Sequence, residues 1–465
     1  MQIDESIFKA YDVRGIAGEG LNEETMKLIG QAFGSYVRQR GGQIVVLGMD
    51  IRRSSNEYYE AVKAGLMASG CVVRTMGVVA TPTMYYAAHQ DGVDGGVMIT
   101  ASHNPANYNG VKFSYENRSL PTAEIEILKE MILKGDLLAT NSGREEEYGD
   151  ITDRHLQEIA EKIKLAKPLK VAMDPSGSVA ALVVPKLMKM LGCQIEIING
   201  EIDPNFSLHQ PDPITMDNYG WLKKLITESG ADMGVMYDGD ADRVGFVDNH
   251  GEVWMGDKIE MLLARDILAK KPGEKVIVEL KNSEAVVEEV KRLGGVPIFG
   301  QTGHTLIEEK LHAEGAILAA EMSCHYYIAD GWYKFDDAIY ALARVMSIVA
   351  DSGQSLAELM ADIPNYPATP EYRVAVPADR QKEIVQEVVD YCREKCDHYI
   401  DIDGIRGYIG DGWFLVRSSN TQPVISVRAE GKTEADLATI KDFIQNKLNS
   451  IDGVNLDWNR QVDEA

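Results

Sequence analysis

With 465 residues the chain is too long for one hydrophobic core, and an apolar content of 45% excludes a largely disordered protein. Its 47 Lys and Arg against 72 Asp and Glu leave a net charge of −25, a field that repels nucleic acid and anionic membrane and excludes both as expected partners. No apolar run approaches a bilayer's thickness, the acid-bearing start "MQIDESIFKAYDVRG" lacks the pattern of a signal peptide, and five scattered cysteines suit a reducing compartment, so a cytoplasmic protein is expected.

Along the chain, "FKAYDVRG" first puts Arg14 in a polar turn. A strand-helix-strand unit follows, "QIVVLGMDIRRSSNEYYEAVKAGLMASGCVVRTMGV", and two more of the same plan come later, "LKVAMDPSGSVAALVVPKLMKMLGCQIEIING" and "EKVIVELKNSEAVVEEVKRLGGVPIFG". Apolar β-rich runs on either side of a helix of about three turns predict parallel sheets with right-handed crossovers. Polar clusters at 50–54, 174–178 and 281–283 sit where a strand hands over to a helix, the place where open α/β sheets put ligand contacts. Beyond the proline-rich "IPNYPATPEY", a strand at 372–376, a helix at 380–395, several short strands and a final helix at 435–448 predict a smaller α+β domain. The expected domains are 1–150, 151–250, 251–368 and 369–465, with "DGVNLDWNRQVDEA" as a loosely held tail. Cys392, Cys396 and His398 lie close together, but on a helical stretch with no second ligand pair they do not make a zinc site.

Four loops carry chemistry. In "VMITASHNPANYNGVKF" an apolar run ends in Ser102 and His103 and reaches Lys112 after an Asn-Gly turn; turn chemistry requires none of those three side chains. In "MGVMYDGDADRVGFVDNHGEVW", strands at Met233–Tyr237 and 244–247 enclose Asp238, Asp240 and Asp242, with Arg243 next. Three carboxylates so close repel unless a cation joins them, and oxygen ligands of this kind suit Mg²⁺; a solvated acidic turn is the plainer alternative. An EF-hand is excluded, since its sixth and twelfth positions hold Arg243 and Asn249 instead of Gly and Glu. A haloacid-dehalogenase-type phosphatase, with Asp238 as nucleophile, stays open as an enzymatic alternative. In "AAEMSCHYYIADGW", Glu321, Ser323 and His325 alternate, so an extended segment would turn all three to one side to grip hydroxyls. His304 in "QTGHTLIEEK" precedes a helix. In "GWFLVRSSNTQPVISVRAEG", Arg417, Ser419, Asn420 and Thr421 lie between two apolar strands, a donor set suited to phosphate, with Arg428 on the return strand.

In that order and combination the loops resemble the α-D-phosphohexomutase superfamily, over nearly the whole chain. "TASHNP" and "DGDADR" carry most of the likeness, "EMSCHYY" and "RSSNTQP" less. The resemblance implies three successive mixed-sheet α/β domains of similar architecture plus a smaller C-terminal α+β domain, around a central cleft. It implies a phosphosugar substrate, Mg²⁺, and hexose 1,6-bisphosphate as intermediate and activator. Ser102 would carry the phosphoryl group, and with Asp238, Asp240 and Asp242 would lie at the metal. Arg243 would steady phosphoserine or substrate. Lys112 and Arg14, beside His103, would form the acid–base neighbourhood, with His325 and His304 at the substrate. Glu321 and Ser323 would bind sugar hydroxyls, Lys281 would bind substrate, and Arg417, Ser419, Asn420 and Thr421 would hold the second phosphate. Ala320 and Cys324 replace glycines of the family's Gly-Glu-Met-Ser-Gly-His pattern, while Ser418 and Gln422 depart from its phosphate loop. Arg14, Lys112, Arg243, Arg417 and Arg428 are expected to form one basic cleft within the acidic chain. A sugar-phosphate-binding regulator on the same scaffold is the non-enzymatic alternative, and the sequence leaves oligomeric state and preferred sugar undetermined.

Overall fold

The computed structural model describes residues 3–10, 12–140, 142–377, 379–419 and 424–459. Three sheets share one plan. In the first, Ile44–Met49, Val72–Val78, Gly95–Ile99 and Arg144–Glu147 run parallel, and Tyr108–Tyr115 then Val13–Ile16 are added by antiparallel pairing. In the second, Lys170–Asp174 pairs in parallel with Gln194–Ile197 and Met233–Tyr237, and Val244–Asp248 returns antiparallel. In the third, Lys275–Glu279 pairs in parallel with Val296–Gly300 and Leu318–Ala320, and Tyr326–Ile328 returns antiparallel. Each sheet is mixed as expected. In each, one parallel strand (Gly95–Ile99, Met233–Tyr237 and Leu318–Ala320) leads directly into its antiparallel neighbour, and the three turn-backs hold Ser102, residues 238–242 and residues 321–325. The chemical loops therefore occupy the same topological place three times, at the C-terminal ends of buried strands.

The fourth sheet is antiparallel throughout, in the order Tyr372–Ala375, Val424–Gly431, Gly412–Ser418, Ile405–Ile409, His398–Ile400. Helices Gln381–Lys395 and Glu434–Asn449 share its apolar core, the second opened by a capping box between Thr433 and Asp436. Part of the apolar side chains of each of the first three sheets joins one shared core, the rest packing in a separate cluster for each sheet, and the C-terminal domain has a core of its own. Arg406 joins it to the third domain: fully buried, it lies 3.6 Å over the Trp413 ring and donates to the carbonyls of Leu280 (2.7 Å) and Asn282 (2.8 Å).

Three local expectations are corrected. Arg14 lies in the strand Val13–Ile16 and not in a turn. Asn109 and Gly110 lie inside the strand Tyr108–Tyr115; Gly110 is needed for close approach, since a Cβ there would stand 2.2 Å from the Val13 carbonyl oxygen. Residues 452–459 of the tail are anchored, because Val454, Leu456 and Trp458 bury their side chains in the C-terminal core. Among the described residues no helix is long and apolar enough to cross a membrane.

Candidate active site

The strand Gly95–Ile99 is buried along its whole length and delivers its loop into the interior. Ser102 follows in the left-handed region, φ +49°, and is only 2% exposed. Its N–H donates to Thr100 Oγ1 (2.9 Å), and its Oγ donates to Asp238 Oδ2 (2.7 Å) and stands 3.2 Å from His103 Nδ1. A short polar residue in a strained turn, aimed at a buried acid of another domain, is an arrangement that packing alone does not call for. His103 is kept neutral: burial first, then Arg243 and Arg14, push its imidazole well below the usual range. Arg14 is held by Asp12 (2.6 Å) and donates to Asn104 Oδ1 (2.7 Å) on the same loop.

Asp238, Asp240 and Asp242 are fully buried, and they can offer one oxygen each within 4.8 Å of one another. Oδ1 of Asp240 and of Asp242 accept no hydrogen bond, although a buried carboxylate oxygen normally has a donor. Burial, then Asp242 and Asp240, hold the Asp238 carboxyl well above the usual range. Burial acts on Asp242 in the same direction, yet Lys112 and His325 hold it well below. Lys112, itself buried, forms an ion pair with Asp242 and lies 3.6 Å from Asp240 Oδ2. The donor set is all oxygen, crowded with negative charge and under-bonded, so it fits a hard divalent cation.

The alternation at Glu321, Ser323 and His325 predicts an extended segment, but residues 321–325 form a turn between antiparallel strands. Cys324 makes that turn at φ +72°, donating its N–H to the Glu321 carbonyl (2.9 Å). The turn still gathers the three side chains, because it folds Glu321 and Ser323 around one imidazole. His325 Nδ1 is 3.1 Å from Glu321 Oε2 and 3.4 Å from Ser323 Oγ, and its Nε2 is 3.4 Å from Asp242 Oδ1 and 3.6 Å from Asp336 Oδ2. Burial opposes the imidazolium, but these acids raise it to about 9. An imidazolium cannot accept a hydrogen bond from Arg243 Nε, 3.4 Å away, so these are two neighbouring cations sharing acidic partners. Arg243 also lies 3.6 Å from Asp212. His304 stacks on His325 with ring centroids 5.8 Å apart, and burial, then Lys112 and His325, keep it neutral.

A second pole lies toward the C-terminal domain. Lys281 Nζ is 3.3 Å from Glu279 and 3.5 Å from Glu371, and Arg417 donates to Asp403 (2.8 Å). Burial raises Glu371, but Lys281, a hydrogen bond from Ser426 and then Arg417 bring it down to about 2, so Glu371, Lys281 and Arg417 belong to one electrostatic cluster. Glu279 links this cluster to the 321–325 turn by accepting from Met322 N (2.9 Å). Ser419 donates its N–H to the Val424 carbonyl (3.0 Å); Asn420 and Thr421 lie outside the described residues. The cations expected to form one basic cleft are not without partners. Arg14, Lys112, Arg243 and Arg417 each carry an acidic partner, and Arg428 donates to the Lys281 carbonyl and lies near Trp413. Cations this deep require counter-charge or carbonyls in place of water.

Several contributors have no signal in the loop motifs. Thr81 donates to Asp240 Oδ2 (2.6 Å), and so does Thr100 (3.1 Å), which lies in "TASHNP" but whose tie to that acid the motif does not announce; together they turn the acid's other oxygen inward. Asp212 meets Arg243, and Asp336 stands beside His325 with burial and Asp242 pushing it to about 7. Only Arg52, inside the 50–54 cluster after the first strand, sits where position in the fold could have singled it out.

Comparison with known proteins agrees with this site. The family models for phosphoglucomutase/phosphomannomutase match as alpha/beta/alpha domains I, II and III over residues 5–138, 153–251 and 255–366, and as the C-terminal domain over 371–447. The chain is 37% identical over 447 residues to a phosphomannomutase/phosphoglucomutase of Pseudomonas aeruginosa, covering 96% of each chain. It is 34% identical over 458 residues to a phosphoglucomutase of Neisseria meningitidis, covering 98% of this chain and 99% of that one. A crystal structure of a phosphoglucomutase/phosphomannomutase family protein from Burkholderia thailandensis superposes with a TM-score of 0.91 at 36% identity, covering 98% of this chain and all of the other. The class is therefore phosphomutase, an isomerase, which sets aside the phosphatase and the binding-only readings. The chain belongs to the phosphoglucomutase/phosphomannomutase family.

Proposed function

We propose that this enzyme moves a phosphoryl group between C1 and C6 of glucose and mannose phosphates, with Ser102 as the covalent carrier. The observation that carries the reading is the Ser102 Oγ to Asp238 hydrogen bond, which sets a hydroxyl against three buried acids that fit a cation. Phosphoserine gives its phosphoryl group to the free hydroxyl of a hexose phosphate: the serine P–O bond breaks as the sugar P–O bond forms, and a hexose 1,6-bisphosphate results. The sugar turns end for end and returns its other phosphate to Ser102.

The proton lost by the sugar hydroxyl balances the one gained by Ser102 Oγ. His103, neutral and 3.2 Å from that oxygen, and Lys112, a cation held by Asp242, are the groups placed to relay it. Mg²⁺ held by Asp238, Asp240 and Asp242 would draw charge from the transferring phosphoryl oxygens, the main electrostatic need of such a transfer. Arg243 and the His325 imidazolium add positive charge on the same side. Glu321 and Ser323 grip O3 and O4, which exchange places when the ring is turned, and Lys281, Arg417, Ser419, Asn420 and Thr421 hold the phosphate that is not reacting. Because O3 and O4 are common to both sugars, that grip accepts glucose and mannose alike.

The test is incubation of the protein with glucose 1-phosphate or mannose 1-phosphate, Mg²⁺ and a catalytic amount of the matching 1,6-bisphosphate. Formation of both 6-phosphates without release of inorganic phosphate is expected. Strong preference for one sugar would overturn the dual reading, and failure of the bisphosphate to restore activity to enzyme stripped of its phosphate would overturn the intermediate.

A further inference from the structure

The loop that carries Ser102 is held from behind by one side chain. Arg52 follows the strand Ile44–Met49, is 2% exposed, and spends four of its five guanidinium donors on the carbonyls of this loop and the fifth on Asp50. Nη2 donates to the carbonyls of Ser102 (2.7 Å) and Asn104 (2.6 Å), Nη1 to those of Pro105 (2.7 Å) and Tyr108 (3.1 Å), and Nε to Asp50 Oδ2 (3.1 Å). A guanidinium has five N–H groups in a plane, so none is left for a ligand. Asp50 is fixed in turn, its Oδ1 accepting from Arg52 N (3.0 Å) and Ser55 Oγ (2.5 Å).

The consequence lies on the loop's other face. With four carbonyls turned toward Arg52, Ser102 is kept in its left-handed conformation and its Oγ reaches Asp238. The Ser102 carbonyl is confined on both sides, because Gly239 of the aspartate loop packs so close that a Cβ there would lie 2.3 Å from its oxygen. One cation thereby sets both the direction of the serine hydroxyl and the contact between the two loops.

We propose that Arg52 is a positioning residue for phosphoryl transfer, acting through the main chain of the Ser102 loop without touching substrate. This rests on the reading of Ser102 as the phosphoryl carrier. A lysine keeps the charge but can donate only three bonds and cannot fan them in a plane, so Arg52→Lys leaves loop carbonyls unpaired and frees the serine to move.

The test uses the full-length protein with glucose 1,6-bisphosphate as phosphoryl donor, following phosphate gain on the Ser102 peptide by mass, together with kcat and KM for glucose 1-phosphate. In Arg52→Lys the rate of Ser102 phosphorylation and kcat should both fall about a hundredfold, the scale of a misplacement near 1 Å, while KM stays within about twofold. Asp50→Asn keeps an acceptor oxygen and the carbonyl contacts but loosens Nε; it should lower kcat several-fold at unchanged KM, and it carries the test if Arg52→Lys does not fold. Wild-type labelling with unchanged phosphorylation in the variants, or a loss confined to KM, would overturn the positioning role alone. No phosphate on Ser102 in the wild type would overturn the carrier reading and this proposal with it.

Discussion

Ser102 Oγ donates a 2.7 Å hydrogen bond to Asp238 Oδ2, joining two loops 136 residues apart in the chain. Two domains thus meet at one hydroxyl and one carboxylate. Burial, then Asp242 and Asp240, hold the Asp238 carboxyl well above the usual range, and the Ser102 hydrogen bond acts against that shift by favouring the charged form.

Removing that hydroxyl separates chemistry from folding. Ser102→Ala gives up one hydrogen bond, worth about 1 kcal/mol, and should fold. Mutase turnover should drop by about 10³-fold or more, the scale of deleting a nucleophile. Intact mass should show a phosphate on active wild-type protein and none on the variant. Near-normal turnover in Ser102→Ala would exclude the covalent carrier.

Asp240→Asn tests the cation site. Thr81 and Thr100 hold one of its oxygens, so the amide can keep those bonds with its own oxygen and must then turn its NH₂ group inward. Mg²⁺ affinity should fall at least about tenfold, and activity should recover in part at high Mg²⁺. Calorimetric titration measures the affinity directly, and an unchanged value would remove Asp240 from the ligand set.

Glu308 predicts a pH dependence of stability. It is buried between the first and third domains, accepting from Ser119 N (3.0 Å), and burial raises it to about 8. The folded state holds the proton more tightly than the unfolded chain, whose carboxyl ionises near the ordinary 4.5. Its stabilising effect is therefore complete below that value and is lost as pH rises toward 8. Glu308→Gln should flatten the fall of Tm over this range and leave the variant more stable than wild type at the alkaline end. Parallel Tm profiles for the two proteins would show that Glu308 is not the group responsible.

Cys324 tests the departure from the family's glycine pattern. At φ +72° and fully buried, it occupies backbone space that favours glycine. Cys324→Gly should change stability by less than about 1 kcal/mol, relief of strain offsetting the freer unfolded chain. Cys324→Val should lose about 1–3 kcal/mol and disturb the Glu321 to His325 contact. Chemical denaturation gives both values, and a tolerated valine would mean that the turn can relax.

Much of this architecture is written locally. Apolar runs such as 233–237 and 275–279 could be placed as strands because a buried strand needs only its own side chains to announce it. "TASHNP", "DGDADR" and "RSSNTQP" are contiguous, so their polar groups could be recognised before their neighbours were known. Local pattern misled where one residue's conformation decided the outcome. Alternation at 321–325 looks extended, but the left-handed Cys324 closes a turn; Asn109-Gly110 looks like a turn, but pairing with Val13–Ile16 holds it in a strand. Beyond reach of the sequence were contacts between distant segments. Arg52 on the Ser102 carbonyl, Thr81 on Asp240, Asp336 beside His325 and an acidic partner for each of four cleft cations depend on how separate sheets pack. A strand is specified by neighbours along the chain, whereas a buried charge is specified by whichever group replaces its lost water, and that group belongs to the tertiary fold.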